Sequence, residues 1–308
     1  MGLGIVAGDS GPLLPSLRMD AYLNSICRVL ERPSASRFPD AFERGWMIPS
    51  GTGFLIHPRV VMTASHVIDE SGVVRLAPRN PGVFGCLFGV GATMDRTLYG
   101  DTVHVSAFER LAPPITGFSL DEGLQDIALL LLDSPVLGTP FGIGSGPSVG
   151  DTVQAVGFGM PTDWRPSGGI EWPAAGWLTP YVTHVPSNGT SFVTRWPGEI
   201  YEAGQTRGDS GGPAIVSGSS GVPAVVGCIT KVGKRIGYPQ VWALYTRLDA
   251  NLSWIDSVMS GWGLTSGTVS ADGEGTDGAP SGTSVLPWLL GGAAVLGIAA
   301  LLAFGGRK

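Results

Sequence analysis

Short apolar segments separated by turn-forming residues are the feature that most constrains the fold of this 308-residue chain. The chain contains 48 glycines and 24 prolines, and 14% of its residues are charged, against about 25% in an average domain. This pattern favours antiparallel β-barrels over alternating strands and helices. The predicted strands lie within 72–77, 83–90, 102–108 and 127–132 for a first barrel and within 152–158, 178–195, 213–216 and 222–230 for a second.

The stretch Thr206–Pro213 places a serine between glycines, directly after an aspartate. Glycines in such a turn permit backbone conformations that are closed to other residues, and they leave the hydroxyl of Ser210 accessible. The same turn can direct the N–H groups of Gly208 and Ser210 at one point, where an oxyanion would be stabilised. The stretch therefore predicts a nucleophilic serine with its own oxyanion hole.

A serine hydroxyl is a weak nucleophile, so it needs a histidine base that is oriented by a carboxylate. His66 follows the strand-like residues Val60–Met62, and a hairpin formed by 51–56 and 60–64 would hold it at a rigid strand end. Asp126 opens the apolar run that ends at Leu132. These two residues are the predicted base and orienting carboxylate.

The three motifs together resemble those of the trypsin-like serine peptidases, and their order of His, Asp and Ser is the order of that family. The resemblance covers residues 24–262. It implies an all-β fold of two antiparallel six-stranded β-barrels with a C-terminal helix, a protein or peptide substrate, and no metal or organic cofactor. It also implies serine endopeptidase activity, with His66, Asp126 and Ser210 as catalytic residues and Gly208 and Ser210 forming the oxyanion hole.

Other residues of the chain resemble the assigned aspartate and the serine motif. Asp133 also borders the apolar run, but it resembles a turn residue at a strand end, whereas Asp126 opens the run. Gly8–Pro12 repeats most of the serine motif, yet it lacks the second glycine and precedes the histidine, so we interpret it as coil. Two alternatives to a peptidase are an inactive peptidase-fold binding module at the cell surface and an esterase that uses the same three residues.

The resemblance also indicates four substrate-binding residues: Gly204, Gln205 and Ala243 at a pocket for the substrate side chain, and Thr230 on the strand 229–231, which would pair with the substrate backbone. Glycine at 204 takes the place of the aspartate that lets trypsin bind basic side chains, so cleavage after Lys or Arg is not expected. The methyl group of Ala243 and the bulk of Gln205 predict small or medium apolar side chains. Lys231 replaces the usual aromatic residue and favours an acidic neighbour in the substrate.

The net charge of −6 and the isoelectric point near 5.2 argue against a nucleic-acid partner, because such proteins carry a basic surface. The disulfides that many relatives carry beside the histidine and the serine are absent, since Val67 and Thr206 occupy those positions. The odd number of cysteines predicts free, buried thiols. A bond from Cys27 to Cys86 or Cys228 stays open.

Residues 1–23 are predicted to be an N-terminal arm without an ordinary signal peptide. Within the arm, Ile5–Gly8 faintly resembles the terminus that relatives expose by cleavage, whose free amine pairs with the aspartate before the nucleophile. That aspartate is Asp209 here. Gly4, rather than a basic residue, precedes Ile5, so we favour a plain arm.

The C-terminal part of the chain changes character twice. Leu252, Ile255 and Met259 recur at helical spacing and predict a helix packed on the second barrel. Residues 263–284 are rich in Gly, Ser and Thr and predict a flexible linker. Residues 285–304 are uncharged and predict a transmembrane helix, and the basic tail 305–308 predicts an extracytoplasmic peptidase domain on a membrane anchor.

Overall fold

The computed structural model describes residues 19–36, 38–68, 80–89, 97–111, 125–159, 176–195, 208–218, 221–234 and 241–265. All of them belong to one compact unit of the chain. The predictions for 72–77, for the linker beyond residue 265, for 285–304 and for the basic tail lie outside these residues, as does the proposed role of Ile5. None of the helices in the described part of the chain is both long and apolar enough to cross a bilayer.

Six antiparallel strands form a closed barrel in the first half of the chain, as predicted. Their order around the barrel is β1–β2–β3–β6–β5–β4. Apolar side chains from neighbouring strands fill the interior, so the alternation of each strand decides which residues face inward. The strands are β1 Ile26–Glu31, β2 Ile48–His57, β3 Val60–Thr63, β4 Phe84–Phe88, β5 Val103–Arg110 and β6 Ala128–Leu132.

A second sheet of eight strands follows, with the order β10–β11–β14–β13–β12–β8–β9 and with β7 parallel to β13. Backbone hydrogen bonds join 150–153 to 180–182, among them Val153 N–H to Pro180 O at 3.0 Å. Along the order β10–β11–β14–β13–β12–β8, these bonds join the residues that lead into β8 to the residues at the start of β10. The sheet therefore curves back on itself. The strands are β7 Gly142–Ile143, β8 Gln154–Gly157, β9 Gly176–Leu178, β10 Tyr181–His184, β11 Ser191–Arg195, β12 Pro213–Ser217, β13 Pro223–Lys234 and β14 Val241–Arg247.

Helices are few and short among the described residues. The first, α1, spans Pro39–Glu43, and the C-terminal helix, α2, spans Leu252–Gly261. Ile255 and Met259 of α2 are buried in an apolar cluster that contains residues of both sheets, which confirms the predicted apolar face. A seven-residue 3-10 helix spans Met19–Ser25. Single 3-10 turns occupy Ser65–Val67, Pro81–Val83, Tyr99–Asp101 and Asp249–Asn251.

The sequence predicts an ordered loop over 160–177, a run that contains Trp164, Trp172 and Trp177. The last part of this run is instead a strand. Gly176–Leu178 pairs with β8, so that Trp177 lies opposite Val156. The pairing partner is distant in the sequence, and local composition therefore did not reveal it. The remaining residues of the run up to 175 lie outside the described ranges.

The three cysteines are free and buried. Burial in the apolar interior raises the pKa of the Cys27 thiol, and contact with the Cys86 thiol raises it further. Buried thiols of this kind act as small apolar side chains that fill the core.

Candidate active site

His66 lies at the end of the β2–β3 hairpin, as the sequence predicts. The strand β3 ends at Thr63, and the chain then enters the 3-10 turn Ser65–Val67 that carries the histidine. The hydroxyl of Ser50 donates a hydrogen bond to the carbonyl oxygen of Val67 and ties this turn to β2. The histidine is therefore held on a rigid element rather than on a free loop.

Asp126 directly precedes β6, which pairs with β3, and this brings the carboxylate to the histidine. The distance between His66 Nδ1 and Asp126 Oδ2 is 2.7 Å. The backbone N–H of His66 donates to the second oxygen, Oδ1, at 3.0 Å. Because an ionised carboxylate only accepts, Nδ1 carries the proton in this arrangement, and Nε2 is the basic nitrogen.

The exposed fractions of the two side chains differ in the way that a base and its orienting carboxylate require. The side chain of Asp126 is 5% exposed and that of His66 is 33% exposed. The carboxylate is thus shielded from water, which strengthens its interaction with the imidazole. The histidine keeps one face open to a reacting group.

Two threonines of the second sheet support Asp126, and sequence reasoning missed one of them. The backbone N–H of Asp126 donates to Thr246 Oγ1 at 3.0 Å. Thr246 Oγ1 in turn lies 2.9 Å from Thr230 Oγ1. Thr230 is predicted to lie on a strand that pairs with the substrate backbone, and its buried hydroxyl belongs to this network. Thr246 had no sequence signal beyond its place in a strand.

The turn that carries Ser210 is closed by its own backbone and by β13. Gly208 and Gly211 have φ angles of 94° and 87°, in the left-handed region that favours glycine. The N–H of Gly212 donates to Asp209 O at 2.8 Å, and the N–H of Gly211 donates to Ile229 O at 2.7 Å. These bonds do not use the N–H groups of Gly208 and Ser210, the two predicted oxyanion donors.

Thr52 of β2 attaches this turn to the first barrel, and sequence reasoning did not single it out. Its N–H donates to Ser210 O at 2.8 Å, and its hydroxyl donates to Gly208 O at 2.7 Å. The same hydroxyl accepts a hydrogen bond from the N–H of Phe158 at 3.2 Å. One buried side chain thus links the turn, the residue after β8 and the strand β2, which pairs with the strand that leads to His66.

Close backbone approach brings the turn beside the segment that carries the histidine. A Cβ atom on Gly211 would collide with Thr52 O and Thr63 Oγ1. A Cβ atom on Gly51 would lie 2.7 Å from Ser210 O and 2.6 Å from Val67 Cγ2. The backbone of Ser210 and the side chain of Val67, the residue after His66, therefore both approach Gly51 closely.

The predicted pocket residues are only partly described. Ala243 is buried on β14 and lies opposite Thr194 of β11. Lys231 is exposed on β13, next to a bulge at Thr230. Gly204 and Gln205 lie outside the described residues. Across the described ranges, no group of three or more His, Cys, Asp or Glu side chains is placed to hold a metal ion.

We expect Thr52→Val to lower the free energy of unfolding by about 1–3 kcal/mol, since Gly208 O and Phe158 N–H would both lose a buried partner. Thr52→Ser keeps the hydroxyl and is the matched control, with a smaller loss. Urea denaturation of the two variants measures the difference. Equal losses for valine and serine would show that the hydroxyl is not what holds the turn.

Two comparisons with known proteins bear on the family of this chain. A sequence model of the trypsin family matches residues 45–255, which include His66, Asp126 and Ser210. A thymidylate synthase of Shewanella piezotolerans is 33% identical over 97 residues, a segment that covers 31% of this chain and 34% of that protein. This chain thus spans about a third of that relative's length, too little to carry an activity over. The trypsin match covers most of the chain, and the chain belongs to the trypsin family.

Proposed function

We propose that this protein is a serine endopeptidase in which His66 is the general base, Asp126 orients it and Ser210 is the nucleophile. The observation that carries the proposal is the 2.7 Å contact between His66 Nδ1 and Asp126 Oδ2, at the edge of a barrel to which the Ser210 turn is bonded. Membership of the trypsin family gives this arrangement its expected chemistry.

In the first half of the reaction, His66 Nε2 takes the proton of the Ser210 hydroxyl as Oγ attacks the carbonyl carbon of the substrate. The N–H groups of Gly208 and Ser210 stabilise the resulting oxyanion. The protonated histidine then gives its proton to the leaving nitrogen, and the peptide bond breaks. Asp126 stays ionised and stabilises the imidazolium ion during this step.

In the second half, a water molecule replaces the leaving amine. His66 takes a proton from the water, whose oxygen attacks the ester carbon of the acyl-enzyme. The ester bond to Ser210 then breaks, the carboxylic acid leaves, and the proton returns to the serine oxygen. The residues present are sufficient for both halves.

The test is labelling with a serine-directed phosphonate together with hydrolysis of a peptide library. We expect an adduct on Ser210 in the native chain and none in Ser210→Ala or His66→Ala. Asp126→Asn should lower kcat by about 10⁴-fold, because the imidazole would then take the wrong tautomer. Ser217→Ala, on an exposed serine at the end of β12, is the matched control and should behave as the native chain.

Each alternative has its own outcome in the same experiment. A folded native chain that forms no adduct at Ser210 would favour the inactive binding module. Turnover of esters without turnover of peptides would favour the esterase. Cleavage of peptides that survives in Ser210→Ala would contradict the proposed nucleophile.

We further propose that the substrate has a small or medium apolar side chain before the scissile bond and an acidic residue nearby. The buried methyl of Ala243 and the glycine at 204 support the first part, and the exposed charge of Lys231 supports the second.

We expect Lys231→Glu to reduce the preference for acidic residues by about two- to fivefold, the size of an exposed ion pair. Library profiling measures this preference, and Arg32→Glu makes the same charge change on the first barrel as a control. An unchanged preference would contradict the role of Lys231.

From the sequence we also propose that residues 285–304 anchor the chain in a membrane, with the peptidase domain on the extracytoplasmic side. Leu296→Arg would place a charge in the middle of the apolar run, at a cost of about 2.5–3.5 kcal/mol. We therefore expect about 100-fold weaker association with phosphatidylcholine vesicles, measured by flotation. Ser270→Arg, in the predicted linker, is the control. Equal flotation of both variants would argue against the anchor.

A further inference from the structure

Asp209, the residue before the predicted nucleophile, is a charged group in the interior of the protein. Its exposed fraction is 0%. The N–H of Gly159 donates to its Oδ1 at 2.8 Å. A Cβ atom on Gly157 would lie 2.9 Å from its Cγ, so the backbone of the second sheet closes over the carboxylate. A carboxylate in such a place is stable only with a positive partner close by.

Arg28 is a second buried charge, in the middle of the strand β1. Its exposed fraction is 1%, although every other residue from Ile26 to Leu30 is apolar. The guanidinium carbon lies 4.3 Å from the centre of the Phe158 ring. Phe158 immediately precedes Gly159, the residue that donates to Asp209, so the two buried charges approach adjacent residues of the chain.

The electrostatics of Arg28 point to the same partner. The pKa of the Arg28 guanidinium is lowered to about 9. Burial is the cause of the decrease, and the negative charge of Asp209 opposes it. The carboxylate thus offsets part of the cost of burying the guanidinium.

The strand register places Arg28 beside the residue that holds the nucleophile turn. Arg28 lies directly opposite Thr52 in the β1–β2 pair, and opposite residues of an antiparallel pair project to the same face. The hydroxyl of Thr52 lies on that face and donates to Gly208 O, while the backbone N–H of Thr52 donates to Ser210 O. The Arg28 guanidinium and the hydrogen bonds from Thr52 therefore both act on the Ser210 turn from the first barrel.

We propose that Arg28 is the counter-ion of Asp209 and the positioning residue for the turn Gly208–Gly211. This proposal rests on the proposed function, because the turn Gly208–Gly211 carries Ser210. Arg28 does not touch the substrate. Its charge attracts the side chain of Asp209. This fixes the orientation of the N–H groups of Gly208 and Ser210, the residues before and after Asp209.

The consequence concerns activation. Resemblance to the family assigns the positive partner of Asp209 to an amine exposed by cleavage, here that of Ile5. Arg28 supplies that charge from a strand of the folded domain. The oxyanion-binding form of the turn then requires no free terminal amine.

The first experiment measures peptide hydrolysis by full-length variants. We expect Arg28→Met to lower kcat by about 10²–10³-fold, the effect of a displaced oxyanion donor, with KM changed less than about threefold. Arg28→Lys keeps the charge and should stay within about tenfold of the native kcat. Arg59→Met removes another arginine of the first barrel, which bonds to Leu132 O, and should keep the native kcat. Native kcat in Arg28→Met would overturn the proposal.

The second experiment tests the pair without using activity. Arg28→Met, Asp209→Asn and the double variant form a cycle measured by urea unfolding. We expect the double variant to lose less stability than the sum of the two single losses, because it leaves no lone buried charge. Additive losses would overturn the pairing. If Arg28→Met does not fold, Arg28→Lys, expected to fold and stay active, and the double variant decide the question.

The third measurement compares native protein with protein whose terminal amine is acetylated. We expect equal kcat for both, whereas loss of activity on acetylation would assign the counter-ion role to the terminus and overturn the proposal. A native chain that hydrolyses no peptide would count against the proposed function alone, since the unfolding cycle still decides whether Arg28 and Asp209 interact.

Discussion

The contact between Thr52 and the turn Gly208–Ser210 is the interaction on which the site depends. Ser210 follows the second sheet's early strands in the sequence, whereas His66 and Asp126 belong to the first barrel. Thr52 donates through its backbone and its hydroxyl to this turn at 2.8 and 2.7 Å. It lies on β2, which pairs with the strand that leads to the histidine. A buried hydroxyl with both its donor and acceptor capacity in use holds its neighbours in one arrangement.

Backbone shape makes this contact possible. Gly51 and Gly211 lie where any side chain would collide with the opposing backbone, so glycine at these positions lets the turn and the barrel approach each other. The histidine turn is tied to the same region through Ser50. The geometry of the site is therefore largely a result of main-chain packing.

Sequence reasoning predicted much of this arrangement. The hairpin before His66, the opening of a strand by Asp126 and the glycine-rich serine turn depend on local chemistry, and each is visible in a few consecutive residues. The strand Gly176–Leu178 was missed, because it exists through pairing with β8. Thr52, Thr246 and Arg28 were missed as well. Arg28 had a usable signal, since a charged residue in the middle of an apolar strand requires a buried partner.

By itself, the sequence determined the all-β class, because alternation and turn residues act over short distances. The family and the candidate residues followed from the resemblance of three short motifs. Only the tertiary structure decided which residues from distant segments meet. It paired Asp126 with His66 and Thr246, and it brought the nucleophile turn onto Thr52. It also buried Arg28 near Asp209. Such contacts follow from strand register and from the packing of one sheet on another, and no short stretch of sequence encodes either.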